Sequence, residues 1–263
     1  MRPEHVETMK ARARNIALKV AYDGTNYHGF QRQTAPVIAV QNVLERALAK
    51  VCGEQVELAA AGRTDAGVHA YGQVVNFFTD GRIPVARLPR AVNGLLPPDI
   101  VVTEAWEAAR DFSARHSATG KTYVYRIEQC TVPNPFTRSY AWQIFQPLDH
   151  DAMRAVLALL VGTHDYSSFR AAGGAPMSPV RTLDEIRMDE DGGGRLSCCL
   201  HGNGFLYHMV RNIMSAVVSV GLGRISTDRF AEIFAARDRR LVPPTAPACG
   251  LYLLSVDYAE VPQ

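Results

Sequence analysis

One short loop of the sequence brings together three side chains that could do chemistry. Arg63, Thr64 and Asp65 are consecutive and lie between Gly62 and Gly67. They offer a positive charge, a hydroxyl and a carboxylate, which together can supply a hydrogen-bond donor and a nucleophile or base within one turn. The glycines allow backbone angles and close approaches that a side chain would block, so a ligand could reach the carboxylate.

Apolar residues on both sides predict where this loop lies. The runs Val56–Ala61 and Gln73–Phe78 are typical of buried strands, so we expect Asp65 on a tight loop between two strands. A structural interpretation competes with the chemical one, because an aspartate in a glycine-rich turn often accepts hydrogen bonds from nearby backbone amides. The adjacent arginine and threonine favour a chemical role.

The composition bounds the class of protein. The 263 residues are 47% apolar, enough for one large domain or two medium ones, and the length favours two. With a formal net charge of +2, nucleic-acid binding would need a local basic patch. The five cysteines show neither a C-x-x-C pair nor a Cys/His metal spacing, which indicates reduced thiols in a cytoplasmic protein and no metal site. No apolar run reaches membrane-spanning length, and we expect residues 1–14 to form a disordered, polar and basic tail.

The first half of the chain has a regular order of predicted elements. A strand over 16–22, a helix over 40–51 ending at Gly53, the two strands around the loop, a short helix over 85–92 and a strand over 100–106 follow one another. This order is that of a ferredoxin-like α+β unit with an antiparallel sheet.

The second half repeats the theme less regularly. Strands are predicted over 121–129, 182–188, 195–200 and 251–258, and helices over 205–220, over 228–236 and in a segment that ends at Gly162. We therefore expect an N-terminal domain over 15–110, carrying the Asp65 loop, and a C-terminal domain over 111–263.

Two features of the second half are open to two interpretations. Tyr123 and Tyr125 alternate in a strand and share a face, so they are either core residues or a stacking platform for a base. Arg211 lies on the polar flank of the long helix, at the rim of the core, where it could form a structural salt bridge or reach across a cleft to a carboxylate. The sequence has no G-x-G-x-x-G after a strand, no Walker loop, no H-E-x-x-H and no G-x-S-x-G, which argues against a nucleotide-cofactor enzyme.

Several ordered motifs resemble the TruA-type tRNA pseudouridine synthases over nearly the whole chain after the tail. The loop Gly-Arg-Thr-Asp-Ala-Gly-Val-His at 62–69 carries the resemblance most specifically. Matching pieces are Tyr-Asp-Gly-Thr at 22–25, the Tyr-x-Tyr strand at 123–125, the helix segment at 205–213 and Pro-Ala with Gly-Leu at 247–251. No key position departs from the family pattern.

The resemblance implies a function and a fold. It implies isomerisation of uridine to pseudouridine at positions 38, 39 and 40 of the anticodon stem-loop of tRNA, by a cytoplasmic homodimer that uses no cofactor, metal or membrane. Asp65 would be the nucleophile, Tyr123 would contact the target uridine, Arg211 would pair with Asp65, and Arg63 would help to displace the base. The implied fold is α+β, with two ferredoxin-like halves whose antiparallel sheets join into one extended sheet, helices on one face and the active-site cleft between the halves.

The implied reaction fits the residues that the sequence offers. Isomerisation of uridine involves no net redox change and consumes no water, so an ionised carboxylate is the main requirement. A guanidinium near Asp65 would keep it charged. Attack on the ribose C1′, addition to C6 of uracil and removal of the C2′ proton all remain open as its first step. Two other functions also remain open, a glycosidase that uses the same aspartate, which would ordinarily need a second carboxylate, and a non-catalytic RNA-binding protein.

Overall fold

The computed structural model describes residues 11–34, 36–174 and 176–259. The fold in this part of the chain is mixed α+β, with a large sheet of ten strands and five α-helices, which confirms the predicted fold class. The described residues up to Thr119 and those from Leu253 onward form one compact unit, and residues 120–252 form a second. The domain boundary at 110 and 111, the helices on one face and the cleft between the halves stay predictions.

The first unit contains the expected order of elements. These are β1 (Arg14–Tyr22), α1 (Val40–Cys52), β2 (Ala59–Ala60), β3 (His69–Thr79), α2 (Leu88–Asn93), β4 (Ile100–Ala108) and, from Leu253 onward, β10 (Leu251–Tyr258). Strand β1 lies between β3 and β4 and is antiparallel to both, while β2 and β10 adjoin β3. Residues 1–10 of the expected tail lie outside the described residues, and β1 already begins at Arg14.

Apolar periodicity accounts for most of this unit. In β1 the side chains of Ile16, Leu18 and Val20 are fully buried, as their alternation predicts. Helix α1 buries one face and ends at Gly53, which has a φ of 73° and donates its N–H to the carbonyl of Ala49. A left-handed glycine is a common way for a helix to end, so the predicted bounds of this helix are confirmed.

The strand predicted over 56–61 is wrong for most of its length. Only Ala59–Ala60 pairs with β3. The Leu58 side chain is buried as a strand residue would be, but its backbone bonds to α1 instead. Its N–H donates to Glu45 Oε1 at 3.0 Å, and its carbonyl accepts from Gln41 Nε2 at 3.2 Å. Helix side chains therefore replace the strand partner that the apolar pattern implies.

The second unit is a four-stranded antiparallel sheet with one added strand and three helices. It holds β5 (Ala118–Gln129) from Gly120 onward, β6 (Trp142–Ile144), α3 (His150–Ala158), β7 (Gly162–Asp165), β8 (Val180–Glu190), β9 (Arg195–Gly202), α4 (Met209–Gly221) and α5 (Thr227–Ala236). The order within it is β5-β9-β8-β7, and β6 pairs with β5 in parallel. Helices α3 and α5 both pack against α4.

Two helix ends in this unit differ from the sequence prediction. Helix α4 begins at Met209 and not at 205, because His208 adopts a left-handed conformation with a φ of 59° and interrupts the helical backbone. Helix α3 ends at Ala158, and Gly162, with a φ of 110°, begins β7 instead of ending the helix. The short strands β6 and β7 were not predicted.

A buried pair of asparagines ties the segment after β4 to the sheet of the first unit. Asn15 Nδ2 donates to the carbonyl oxygens of Ala109 at 2.8 Å and Phe112 at 2.9 Å. Asn76 Nδ2 donates to Asn15 Oδ1 at 2.9 Å, and Asn76 Oδ1 accepts from the N–H of Ala114 at 2.9 Å. Both asparagines are buried, so each of these groups depends on its protein partner.

We expect Asn76→Ala to destabilise the protein, because it leaves the N–H of Ala114 and Oδ1 of Asn15 buried without this partner. The expected loss in the free energy of unfolding is about 2 kcal/mol. Urea unfolding measures it, with the exposed Asn26→Ala as the matched control, expected to change stability by less than about 0.5 kcal/mol. An unchanged midpoint for Asn76→Ala would show that the pair does not hold this segment.

Candidate active site

The loop that carries Asp65 is a tight connection between β2 and β3, as the sequence predicts. The N–H of Ala61 donates to the carbonyl of Val74 at 2.8 Å, so the strands pair up to the base of the loop. The loop closes on itself where the N–H of Val68 donates to the carbonyl of Asp65 at 3.1 Å, next to Gly67 with its φ of 77°. Asp65 is half-buried, and Arg63 is exposed.

A second segment, which we call the strap (Tyr22–Phe30), packs directly against this loop. Its backbone donates from the N–H of Phe30 to the carbonyl of Thr64 at 3.1 Å. In the other direction, the N–H of Gly67 donates to the carbonyl of Tyr27 at 3.3 Å. The strap therefore holds the loop by backbone hydrogen bonds on both sides of Asp65.

Two glycines of the strap make this close packing possible. A Cβ atom on Gly24 would lie 2.0 Å from the carbonyl oxygen of Val68, and one on Gly29 would lie 2.7 Å from that of Thr64. Gly29 also has a φ of 86°, a conformation that residues with a side chain rarely adopt. Any larger residue at either position would force the strap and the loop apart.

Beneath the loop lies a buried polar contact. The phenol oxygen of Tyr22 and Oγ1 of Thr64 are 2.7 Å apart, and both side chains are buried. Burial raises the pKa of Tyr22, although its hydrogen bonds with Thr64 and Gln73 oppose the shift, so the phenol stays protonated. Gln73, fully buried in β3, donates from Nε2 to the carbonyl of Gly62 at 2.8 Å. Gly62 and Thr64, the residues on either side of Arg63, are thus held by buried side chains of β3 and the strap.

A buried histidine connects the far end of the loop to the strap. Nδ1 of His69 lies 3.1 Å from the backbone nitrogen of Gly24 and 3.1 Å from Oδ1 of Asp23. That carboxylate oxygen already accepts the N–H of Thr25 at 2.9 Å and its hydroxyl at 2.6 Å. Nδ1 of His69 accepts the N–H of Gly24, so the buried ring links the start of β3 to the strap.

The two tyrosines of β5 share a face but differ in their surroundings. Tyr125 is fully buried, donates its hydroxyl to the carbonyl of Pro247 at 2.8 Å and meets Trp142 edge-on, so it is a core residue. Burial raises its pKa. Tyr123 retains 8% exposure and packs edge-on against Phe205, with ring centroids 4.9 Å apart. Of the two, Tyr123 alone is placed at the edge of the core.

Arg211 lies at the rim of the second unit's core, near the start of α4. Its side chain is half-buried, and Nε donates to the carbonyl of Ala246 at 2.8 Å, which orients the guanidinium plane. The next residue, Asn212, is fully buried and accepts from Thr245 Oγ1 at 2.7 Å and from Arg239 at 3.0 Å. The expected pairing of Arg211 with Asp65 stays a prediction.

Sequence reasoning did not identify the strap as the support of the loop. The available signal was the spacing of Gly24 and Gly29, since two glycines in one aromatic-rich loop indicate a close backbone approach. The partner of that approach lies about forty residues away, and nothing local reveals it. The contact between Tyr22 and Thr64, 42 residues apart, was missed for the same reason.

Neither a metal-binding cluster nor a membrane-spanning helix is found in the described part of the chain. Across residues 11–34, 36–174 and 176–259, no group of three or more histidine, cysteine, aspartate or glutamate side chains is placed to hold a metal ion. Nor does any helix in these ranges have the length and apolar character needed to cross a bilayer.

Comparison with known proteins places these residues in context. A family model of tRNA pseudouridine synthases matches residues 18–117 and 156–259, which include the strap, Asp65 and Arg211 but not Tyr123. The tRNA pseudouridine synthase A of Thermoanaerobacter sp. (strain X514) is 43% identical over 245 residues, 93% of this chain and 100% of that protein. The proteins of the same name from Neisseria gonorrhoeae (strain ATCC 700825 / FA 1090) and Acetivibrio thermocellus are 44% and 42% identical. The Neisseria match covers 94% of this chain and 93% of that protein. The Acetivibrio match covers 93% of this chain and 100% of that protein.

The contact beneath the loop predicts energetic coupling between Tyr22 and Thr64. Tyr22→Phe and Thr64→Val should each lower the free energy of unfolding by about 1 kcal/mol, because each removes one partner of a buried hydrogen bond. In the double variant the losses should fail to add, by about 0.5–1 kcal/mol, because both substitutions remove the same hydrogen bond. A double-mutant cycle in urea measures this, with Thr64→Ser as the control that retains the hydroxyl. Strict additivity would show that the two groups do not interact.

Proposed function

Because the chain belongs to the tRNA pseudouridine synthase family and is an isomerase that converts uridine to pseudouridine in tRNA, we propose that it acts at positions 38, 39 and 40 of the anticodon stem-loop with Asp65 as nucleophile. One observation carries the proposal. The Asp65 carboxylate stands on a loop that is fixed from below by Thr64 and from the side by the strap. A carboxylate held in this way is preorganised for one reaction geometry.

The reaction balances without any further reactant. The bond between N1 of uracil and C1′ of ribose breaks, the uracil turns, and a bond forms between C5 and C1′. The base loses a proton from C5 and gains one at N1, so no electrons or water are exchanged. Attack by Asp65 on C1′, addition to C6 and removal of the C2′ proton would each begin this sequence, and each needs the carboxylate ionised.

The other proposed residues act on the target uracil and on the charge of Asp65. The target uridine must leave its stack, at a cost of a few kcal/mol, and we assign Tyr123 to stack on the flipped base. Arg211 is assigned to keep Asp65 ionised through its opposite charge. Arg63, exposed beside the nucleophile, is assigned to displace the base.

The oligomeric state of the protein and its cellular location are part of the same proposal. The resemblance to TruA-type enzymes supports a cytoplasmic homodimer that acts on tRNA without a cofactor or metal ion. Light scattering of the purified chain tests the dimer, because a dimer has twice the 28.9 kDa mass of the chain.

We expect Asp65→Asn to abolish pseudouridine formation while tRNA binding is retained. The amide keeps the shape of the side chain but cannot ionise, so turnover should fall about a thousandfold or more. The measurement is chemical mapping of pseudouridine in unmodified tRNA transcripts after incubation with the protein, which reports both reaction and position. Asp151→Asn, at a carboxylate that is 97% exposed, is the matched control.

Two outcomes would contradict this assignment. Robust residual turnover by Asp65→Asn would remove Asp65 from the chemistry. Release of free uracil by the unaltered protein would indicate a glycosidase that uses water to complete the reaction.

Tyr123 provides a second test, because its ring and its hydroxyl can be separated. Tyr123→Ala removes the ring and should lower turnover about ten- to a hundredfold, as expected for the loss of one base stack. Tyr123→Phe retains the ring and should lose much less. Tyr125→Phe, on the same face of β5, loses only the bond to Pro247 and should reduce stability without changing kcat. A loss for Tyr123→Phe as deep as that for Tyr123→Ala would assign the main role to the hydroxyl.

A further inference from the structure

Two arginines of the second unit converge on one short piece of backbone. Arg170 Nη1 donates to the carbonyl of Met177 at 3.2 Å. Arg181, the second residue of β8, donates from Nη1 to the carbonyls of Ser178 at 2.8 Å and Val180 at 2.6 Å. Its Nη2 lies 2.9 Å from the sulfur of Met177. Two guanidiniums of like charge, both half-buried, therefore occupy one neighbourhood.

Two effects disfavour the charged form of Arg181. Burial lowers the pKa of Arg181, and the charge of Arg170 lowers it further. The carbonyl oxygens and the thioether that contact Arg181 orient the cation, but they carry no charge that would cancel its own. A bound anion would relieve both the repulsion and the loss of solvation.

An aromatic pair lies beside the arginines. Tyr207 is 43% exposed, and its ring stacks on that of His208 with centroids 3.9 Å apart. The carbonyl of Tyr207 accepts the N–H of Ala171, the residue after Arg170, at 3.0 Å. His208 has a φ of 59°, in the left-handed region, which residues other than glycine occupy at a cost.

We propose that Arg170, Arg181 and the pair of Tyr207 and His208 form a binding site for an unpaired stretch of RNA, with the arginines on its phosphates and Tyr207 on a base. Guanidiniums on the backbone and aromatic rings on the bases are the two contacts by which proteins bind single strands. The inference rests on the proposed function, since the RNA is the tRNA substrate. The competing explanation is that the arginines only hold Met177 and Ser178 in place.

Arg181→Gln separates these explanations, because glutamine keeps a donor for the Ser178 carbonyl and loses the charge. We expect tRNA binding to weaken about tenfold, as for the loss of one charge-assisted hydrogen bond. The slope of log affinity against log salt concentration should become shallower by roughly 0.7 to 0.9, the value for one phosphate contact. Arg181→Lys should keep the slope, because lysine retains the charge.

The aromatic contact is tested by Tyr207→Ala. This variant should weaken tRNA binding about tenfold, as for one lost base stack, without altering the salt slope. Both measurements use binding of an unmodified tRNA transcript over a series of salt concentrations, with pseudouridine formation followed in parallel.

Arg187 is the matched control on the same strand. It is exposed, and its Nε donates to Asp189 at 2.7 Å, so Arg187→Gln removes a cation that is already neutralised and should change neither affinity nor slope.

The proposed site would be overturned if Arg181→Gln still formed pseudouridine and showed an unchanged salt slope, whether or not its melting temperature fell. If the unaltered protein formed no pseudouridine in any tRNA, the proposed function itself would fail instead.

Discussion

The candidate active site depends on the direct packing of one backbone segment against another. At Gly24 and Gly29 the strap approaches the Asp65 loop so closely that a single added carbon atom would come within 2.0 Å and 2.7 Å of carbonyl oxygens. Side chains can shift when a neighbour changes, but backbone in contact with backbone has little freedom to do so. The position of the carboxylate is therefore set by the main chain, which is the most rigid support that a loop residue can have.

The polar groups beneath the loop add specificity to this packing. The hydroxyls of Tyr22 and Thr64 and the amide nitrogen of Gln73 lie where water does not reach, and each finds its partner in the protein. Only one arrangement of the loop satisfies the contacts with Thr64 and Gly62 at once. A buried network of this kind contributes little net stability, but it penalises every alternative conformation of the loop. It thereby converts a glycine-rich turn, which is flexible by composition, into an ordered one.

Local patterns in the sequence predicted the elements well and the long-range contacts poorly. The bounds of α1, the order of elements in the first unit and the position of the Asp65 loop follow from apolar spacing and glycine placement. The shortened strand β2 does not, because Gln41 and Glu45 take the hydrogen bonds of Leu58. The late start of α4 depends on a histidine in a left-handed conformation, for which the sequence holds no signal. Tyr123 and Tyr125 look equivalent in sequence, and it is full burial and a bond to the Pro247 carbonyl, 122 residues away, that identify Tyr125 as a core residue.

The way the arginines are held bears on the proposed binding of RNA by a nearly neutral chain. Arg14 and Lys19 in the first unit and Arg187 in the second bond to carboxylates, which cancels their charge locally. In the second unit, Arg181 and Arg239 donate to backbone carbonyls and, for Arg239, to uncharged side chains. A carbonyl fixes the direction of a guanidinium and leaves its charge without a counter-charge. A net charge of +2 therefore says little about RNA affinity, which depends on where positive charge is fixed without a counter-charge.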